Sequence, residues 1–302
     1  MGKVLFDKFI LPPFSVFDTR HGYWQDRKRK WKEAGDFVED STRDSLVFDP
    51  GVSEKGGHQK ICSVGSLLEF DPVLAEMMYR WFVPKDGIIL DPTCGGPVRG
   101  LVATQLGYKY IGIDLRPDQI ELNEKKLKKL GLKAKYIAGD GADVANLVKE
   151  DVDFVFSCPP YFDLEVYSDQ PQDLSNMASY GDFVGVYEAI IKGAVSRLKP
   201  NRFACFVVGN IRDKDGFYHD FVGDTVRAFE KAGARYYNEA ILMNVVGSVS
   251  LRVNRQFGKY RKLGKLHQNV LVFYKGDVSK IPDVLGEVDT TIVIPDNQTV
   301  LF

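Results

Sequence analysis

Five residues, Ser157-Cys158-Pro159-Pro160-Tyr161, close the apolar run Val152-Asp153-Phe154-Val155-Phe156 and carry the clearest chemical pattern in the chain. Proline has no N–H and fixes φ at about −65°, so two in succession stop a strand and leave backbone carbonyls free to accept hydrogen bonds. The next side chain, Tyr161, offers a flat aromatic face. Acceptors at an edge and a ring on a face suit a planar group with an amino function. A nucleobase fits that description.

A second constellation lies upstream. Asp91-Pro92-Thr93-Cys94-Gly95-Gly96-Pro97 stands between an apolar strand and a helix, where glycines let a ligand approach the backbone and helix N–H groups face an anion or carboxylate. Asp114 ends the following predicted strand and suits the two hydroxyls of a ribose; Asp140 ends the third and suits an adenine amino group. The G-x-G-x-x-G pattern of dinucleotide folds is missing, and Asp91 would repel a pyrophosphate. A cationic cofactor without phosphate matches better, and S-adenosylmethionine is such a molecule.

The elements that must hold these residues follow from periodicity. Asp71 caps a helix with Pro72 at its first position and Val73, Leu74, Met77, Met78, Trp81 and Phe82 along one face. Strands are predicted over 87–90, 109–113, 133–138, 152–156, 203–208, 240–246 and 269–274. Helices are predicted over 97–106, from Pro117 to a stop at Gly131, over 182–198, and over 217–232 with Gly233 as the stop. This alternation predicts an α/β fold with a mostly parallel sheet covered by helices on both faces. Three domains of texture are expected: an irregular N-terminal extension over 1–65, the α/β domain over 66–278 and a tail over 279–302.

At 302 residues and 44% hydrophobic content the chain can bury a full core. Forty basic residues face 41 acidic ones, a net charge of −1, so nucleic-acid binding must come from a local patch. Cys62, Cys94, Cys158 and Cys205 are far apart, with no C-x-x-C pair and no histidine cluster. A reduced, cytoplasmic protein without a metal site is expected, with no membrane span.

The two constellations together resemble a known family. Asp91-Pro92-Thr93-Cys94-Gly95-Gly96 resembles the D-P-x-x-G-x-G cofactor loop of S-adenosylmethionine-dependent DNA amino-methyltransferases, and Cys158-Pro159-Pro160-Tyr161 resembles their [DNS]-P-P-[YFW] catalytic loop. Phe70-Asp71-Pro72 is similar to their additional cofactor segment, and the stretch from Lys265 to Phe273 to the final strand of phage-type members. The resemblance implies a Rossmann-like methyltransferase fold with a seven-stranded, mostly parallel sheet and a late antiparallel strand. It also implies a cofactor set of Phe70, Asp71, Asp91, Pro92, Thr93, Cys94, Gly95, Gly96, Asp114 and Asp140, a catalytic set of Cys158, Pro159, Pro160 and Tyr161, and methylation of cytosine N4 or adenine N6 in a restriction-modification or phage setting. One position departs: the family's Asp, Asn or Ser is Cys158 here, a weak acceptor closest to serine in shape.

The DNA partner, expected to be double-stranded, is assigned to Arg252, Arg255, Lys259, Arg261, Lys262 and Lys265, which fall in a stretch without an acid and are interleaved with Phe257 and Tyr260. A second basic cluster, Arg27 to Lys32 between Trp24 and Trp31, reads equally as an amphipathic helix packing its tryptophans. Gly209-Asn210 is a further candidate for the cleft wall, and Asp163 and Glu165 for proton release. Two alternatives remain open: an RNA methyltransferase, and a DNA-binding protein that keeps the fold with a disabled site.

Overall fold

The computed structural model describes residues 9–35, 70–162, 170–245 and 249–286. The strands are β1 (Val16–Asp18), β2 (Ile88–Asp91), β3 (Lys109–Asp114), β4 (Lys135–Ala138), β5 (Val152–Ser157), β6 (Leu198–Val208), β7 (Arg235–Met243) and β8 (His267–Lys275). The helices are α1 (Gly22–Ala34), α2 (Pro72–Phe82), α3 (Val98–Gln105), α4 (Pro117–Lys129), α5 (Val144–Leu147), α6 (Tyr180–Arg197), α7 (Phe221–Lys231), α8 (Val249–Tyr260) and α9 (Ile281–Leu285).

The strands form one sheet in the order β1-β7-β8-β6-β5-β2-β3-β4. All neighbours are parallel except β8, which runs antiparallel to both β6 and β7. Strand order from β4 through β7, with the last strand inserted antiparallel, is the Rossmann-like methyltransferase arrangement expected from the sequence. The count differs, eight strands against seven, because β1 pairs in parallel with β7 and extends the edge.

Alternate residues of the central strands feed two cores. Phe154 and Phe156 of β5 and Phe203, Cys205 and Val207 of β6 pack with α2, α3 and α4. Val152, Val155, Ala204, Phe206 and Val208 pack with α5, α6 and α7. A strand covered on both sides has no polar face, which is why β5 is buried from end to end. The chain runs outward through β2, β3 and β4, then returns to place β5 on the other side of β2. Such a reversal opens a crevice above the carboxyl ends of the two strands. Asp91 and Ser157 end those strands.

Several expectations are corrected by the coordinates. Within 1–65 the described part is regular: β1 and the 13-residue α1 replace the expected irregular texture. Their signal was masked because α1 buries Trp24 while surrounding it with charge. Helix α7 starts at Phe221, capped by Asp220, rather than at 217. β7 spans 235–243 instead of 240–246, and α8 occupies the basic stretch that was read as a connection.

Candidate active site

Asp91 is fully buried at the end of β2 and is the hub of the loop that follows. Its carboxylate accepts from Arg99 Nε at 2.5 Å, Tyr110 Oη at 2.8 Å, Ser157 Oγ at 2.7 Å and the Thr93 N–H at 3.3 Å. Arg99, in the first turn of α3, also donates through Nη2 to the carbonyls of Thr93 (2.8 Å) and Cys94 (3.0 Å). Burial works against the guanidinium charge, but Asp91 outweighs it and holds the Arg99 pKa above its ordinary value. Phe70 lies under this pair, its ring 4.8 Å from the Arg99 guanidinium carbon and edge-on to Phe156.

The glycines of the loop are held from β3 and α4. Gly95 has φ +52°, and a Cβ there would meet nothing within 4 Å, so the backbone is open on that side. Its N–H donates to Asp114 Oδ2 at 2.9 Å and its carbonyl accepts from Asn123 Nδ2 at 2.7 Å. The Cys94 N–H donates to the carbonyl of Ile113 at 2.8 Å. Asp114 therefore faces the loop from the end of β3. Burial raises the pKa of its carboxyl, against the lowering effect of the Arg116 and Gly95 amides. Asp140 lies two residues beyond the end of β4 and accepts from the Ala142 N–H at 2.8 Å.

Asp71 stands apart from this group. Its carboxylate caps α2 through the Val73 N–H and accepts from Trp24 Nε1 (3.1 Å) and Lys28 Nζ (2.9 Å) on α1. The second basic cluster has the same structural duty: Arg27 and Trp31 donate to Glu76, which is 2% exposed. Both tryptophans are thus anchored, as the amphipathic-helix reading expects.

The loop after β5 is tied directly to the loop after β2. Ser157 is buried, donates to Asp91 and shares a 2.7 Å hydrogen bond with Thr93 Oγ1. Cys158 is half-buried, and its Sγ lies 3.9 Å from Tyr161 Oη. Pro159 is buried and Pro160 half-buried. Tyr161 Oη donates to the Val207 carbonyl at 3.3 Å and accepts from Gln268 Nε2 at 2.7 Å. Burial, and then Cys158, push the phenol pKa far up, so the ring is neutral and fixed in orientation by its hydroxyl. Phe162 follows with φ +49° and packs on Phe183, Tyr180 and His219, turning the chain back immediately after Tyr161. Asp163 and Glu165 lie outside the described residues.

Of the proposed DNA contacts, Lys259 lies in α8 and Arg261 terminates it in a left-handed conformation, donating to the carbonyls of Phe257 and Gly258. Phe257 and Tyr260 are exposed beside them. Arg252 and Arg255 are in α8, with side chains outside the described residues. Lys262 and Lys265 follow α8, and Lys265 Nζ donates to the Asn210 carbonyl at 3.1 Å. That bond brings Lys265 to the end of β6 beside Gly209, whose added Cβ would lie 3.8 Å from the Tyr161 ring. Gly209-Asn210 thus lies beside Lys265 and the Tyr161 ring.

Sequence reasoning missed Arg99, Tyr110, Ser157 and Gln268 as members of the site. Ser157 was in plain view as the residue before the Cys-Pro-Pro-Tyr loop. The other three come from separate elements, and only the sheet order brings them together.

No family model matches the chain, and no curated protein sequence matches it. Solved structures similar to it include TrmN from Thermus thermophilus, at 15% identity and a TM-score of 0.47 over 68% of this chain and 49% of that one. A precorrin-6y C5,15-methyltransferase from Geobacter metallireducens is similar at 14% identity and a TM-score of 0.46, over 71% and 93% of the two chains. A TehB-like SAM-dependent methyltransferase from Corynebacterium glutamicum is similar at 18% identity and a TM-score of 0.42, over 67% and 86%. The chain spans about half the length of TrmN.

Proposed function

We propose that this chain transfers a methyl group from S-adenosylmethionine to an exocyclic amino nitrogen of a DNA base, cytosine N4 or adenine N6. The observation that carries the reading is the hydrogen-bonded set Asp91–Ser157–Thr93, which locks the glycine loop against the Cys-Pro-Pro-Tyr loop at the sheet reversal. A cofactor cradle and an acceptor for a planar amine then share one crevice.

The residues present suit the cofactor. Gly95 leaves its side of the loop open, and Asp114 spends only part of its acceptor capacity on two backbone amides, leaving lone pairs for ribose hydroxyls. Asp140 borders the same end of the sheet, and Phe70 forms an apolar wall over Arg99. Asp91 serves the cofactor indirectly, by fixing the loop; Asp71 does so by fixing α2. When bound, S-adenosylmethionine supplies an electrophilic sulfonium methyl.

The chain's own residues do the rest. An exocyclic amine is a weak nucleophile because its lone pair is delocalised into the ring, so the site must draw the nitrogen toward a tetrahedral form and hold it in line. The Pro159 carbonyl and the Cys158 side chain or carbonyl accept hydrogen bonds from the two amino N–H groups, and as the methyl is gained one amino proton passes to solvent. Tyr161 stacks on a base turned out of the duplex. No covalent enzyme intermediate is needed. The unit that performs this is residues 66–278, in the cytoplasm of a bacterial or phage-infected cell where DNA is at hand.

Transfer of tritium from labelled cofactor to DNA tests the proposal. The wild-type chain incorporates label and a Pro159→Ala, Tyr161→Ala double variant does not; full incorporation by the double variant refutes the assigned roles.

A further inference from the structure

Between β6 and α7 the chain makes a short turn in which Arg212 and Tyr218 pair across an antiparallel bridge. Asp213 holds the turn, its carboxylate accepting from the N–H groups of Gly216 (2.7 Å) and Phe217 (2.8 Å). The turn lifts Phe217 and Tyr218 into solvent, 73% and 47% exposed. The two rings stand adjacent and open to solvent, close to the end of β6.

Three cations gather around this turn from two distant segments, Arg212 and Lys265 at the Tyr218 ring and Lys262 at Gly216. The Arg212 guanidinium lies 3.9 Å from the ring centroid and donates to the Gly216 carbonyl at 2.7 Å. From the segment after α8, Lys265 Nζ lies 5.9 Å from the same centroid. Lys262 Nζ crowds Gly216, where an added Cβ would come within 2.1 Å of it. Like charges brought together repel, and burial together with Arg212 pushes the Lys265 pKa down to about 8.

The nearby acids do not neutralise the group. Asp213 is committed to the turn amides, and Asp220 caps α7 through the Gly223 N–H (3.1 Å) and accepts from Arg227 (3.1 Å). Among the described residues, no carboxylate forms an ion pair with Arg212, Lys262 or Lys265. A cavity of about 240 Å³ opens here, lined by Asn210, Tyr218, Asp220, Lys265, His267 and Asn269. It adjoins the 158–161 loop: a Cβ added to Gly209 would contact both Lys265 Nζ at 3.0 Å and the Tyr161 ring at 3.8 Å.

We infer that Arg212, Lys262 and Lys265, arranged around the 212–218 turn, form a phosphodiester-binding subsite that holds the backbone of a nucleic-acid strand beside the 158–161 loop. Three cations without an ion pair among the described residues, at a concave, partly apolar surface, match a polyanion that also carries stacking bases. The subsite deepens the proposed reading and rests on it for the identity of the strand as DNA. Its geometry adds Arg212 and Tyr218, from the turn before α7, to the contacts expected of the basic stretch.

The test is binding rather than turnover. Fluorescence anisotropy of a short labelled DNA duplex, followed from about 50 to 200 mM salt, gives the slope of log affinity against log salt, which changes by about 0.9 per phosphate contact. For the full chain carrying Arg212→Ala, Lys262→Ala and Lys265→Met, the slope shrinks by about 2 to 3 and affinity at the lower salt falls at least about tenfold. A Lys125→Ala, Lys128→Ala variant on α4 keeps both values. Should the triple variant fail to fold, Lys262→Ala alone shrinks the slope by about 1.

An unchanged slope in folded variants overturns the inference. So does displacement of DNA by inorganic phosphate beyond ionic-strength-matched chloride in the wild-type chain only, which assigns the site to free phosphate. A wild-type chain that binds DNA with the expected variant effect yet transfers no methyl group keeps the subsite and overturns the activity. Methyl transfer with an unchanged variant slope does the reverse.

Discussion

Replacing Asp91 by alanine attacks the hub on which both loops of the crevice depend. The carboxylate is fully buried and its partner Arg99 is 6% exposed. Removing one partner of a buried ion pair leaves an uncompensated charge and costs about 3–5 kcal/mol. The loss of the acceptor for Tyr110 Oη acts through the same oxygen as Arg99, so it does not add in full. In a domain of this size each kcal/mol lowers Tm by about 2–4 °C, so the variant melts about 6–20 °C lower.

A second variant separates stability from site geometry. Asp91→Leu with Arg99→Met removes the uncompensated guanidinium and recovers part of the lost stability. It still releases the Thr93 and Cys94 carbonyls and the Ser157 hydroxyl, so the glycine loop loses its shape. Urea denaturation and calorimetric titration with S-adenosylmethionine read the two effects. The single variant loses stability and affinity; the double variant regains part of the stability and keeps weakened affinity. A stability loss below about 1 kcal/mol for Asp91→Ala, or wild-type affinity in the double variant, refutes the reasoning.

Other perturbations give separate tests. Tyr161→Phe keeps the ring but loses the bonds to Val207 and Gln268, so it costs about 1–2 kcal/mol while methyl transfer survives; Tyr161→Ala abolishes transfer, and equal transfer by both would contradict the stacking role. Lys265, set among Arg212, Lys262, His267 and Asp220, binds fewer protons folded than unfolded between its folded pKa of about 8 and the ordinary value of 10.5. Stability measured by denaturation therefore rises with pH across that window, and Lys265→Met removes the rise. Glu76 is held below its ordinary pKa because Arg27, Trp31 and Arg80 outweigh the effect of burial, so its contribution is present above the unfolded pKa and fades as pH falls through the folded one. Glu76→Ala costs about 3 kcal/mol and flattens that acid limb, yet leaves the salt slope of DNA binding as it was.

How far the sequence could be read depended on whether a residue's partners were near in the chain. The alternation of strands and helices from Asp71 onward was plain because buried parallel strands are short apolar runs and their helices carry caps. Asp71, read as a cap from the sequence, caps α2 in the structure. The Pro-Pro step and the Gly95-Gly96 pair were visible because they are local. Arg99 was not: an arginine in an apolar helix gives no signal until β2 and β3 place Asp91 and Tyr110 around it. Strand β1 is three residues long, below what alternation can reveal, and it gains order only from pairing with β7. The helix expected over 217–232 starts only at Phe221, because Phe217 and Tyr218 belong to the turn that pairs Arg212 with Tyr218, and Phe217 is 73% exposed.

Mass spectrometry of nucleosides tests the central claim most directly. DNA incubated with the chain and S-adenosylmethionine carrying an isotopically labelled methyl group is digested and its modified nucleosides are separated. The account predicts label in N4-methylcytosine or N6-methyladenine, lost with Pro159→Ala, Tyr161→Ala. Label in 5-methylcytosine, or DNA without label under conditions where the chain binds both cofactor and duplex, contradicts it.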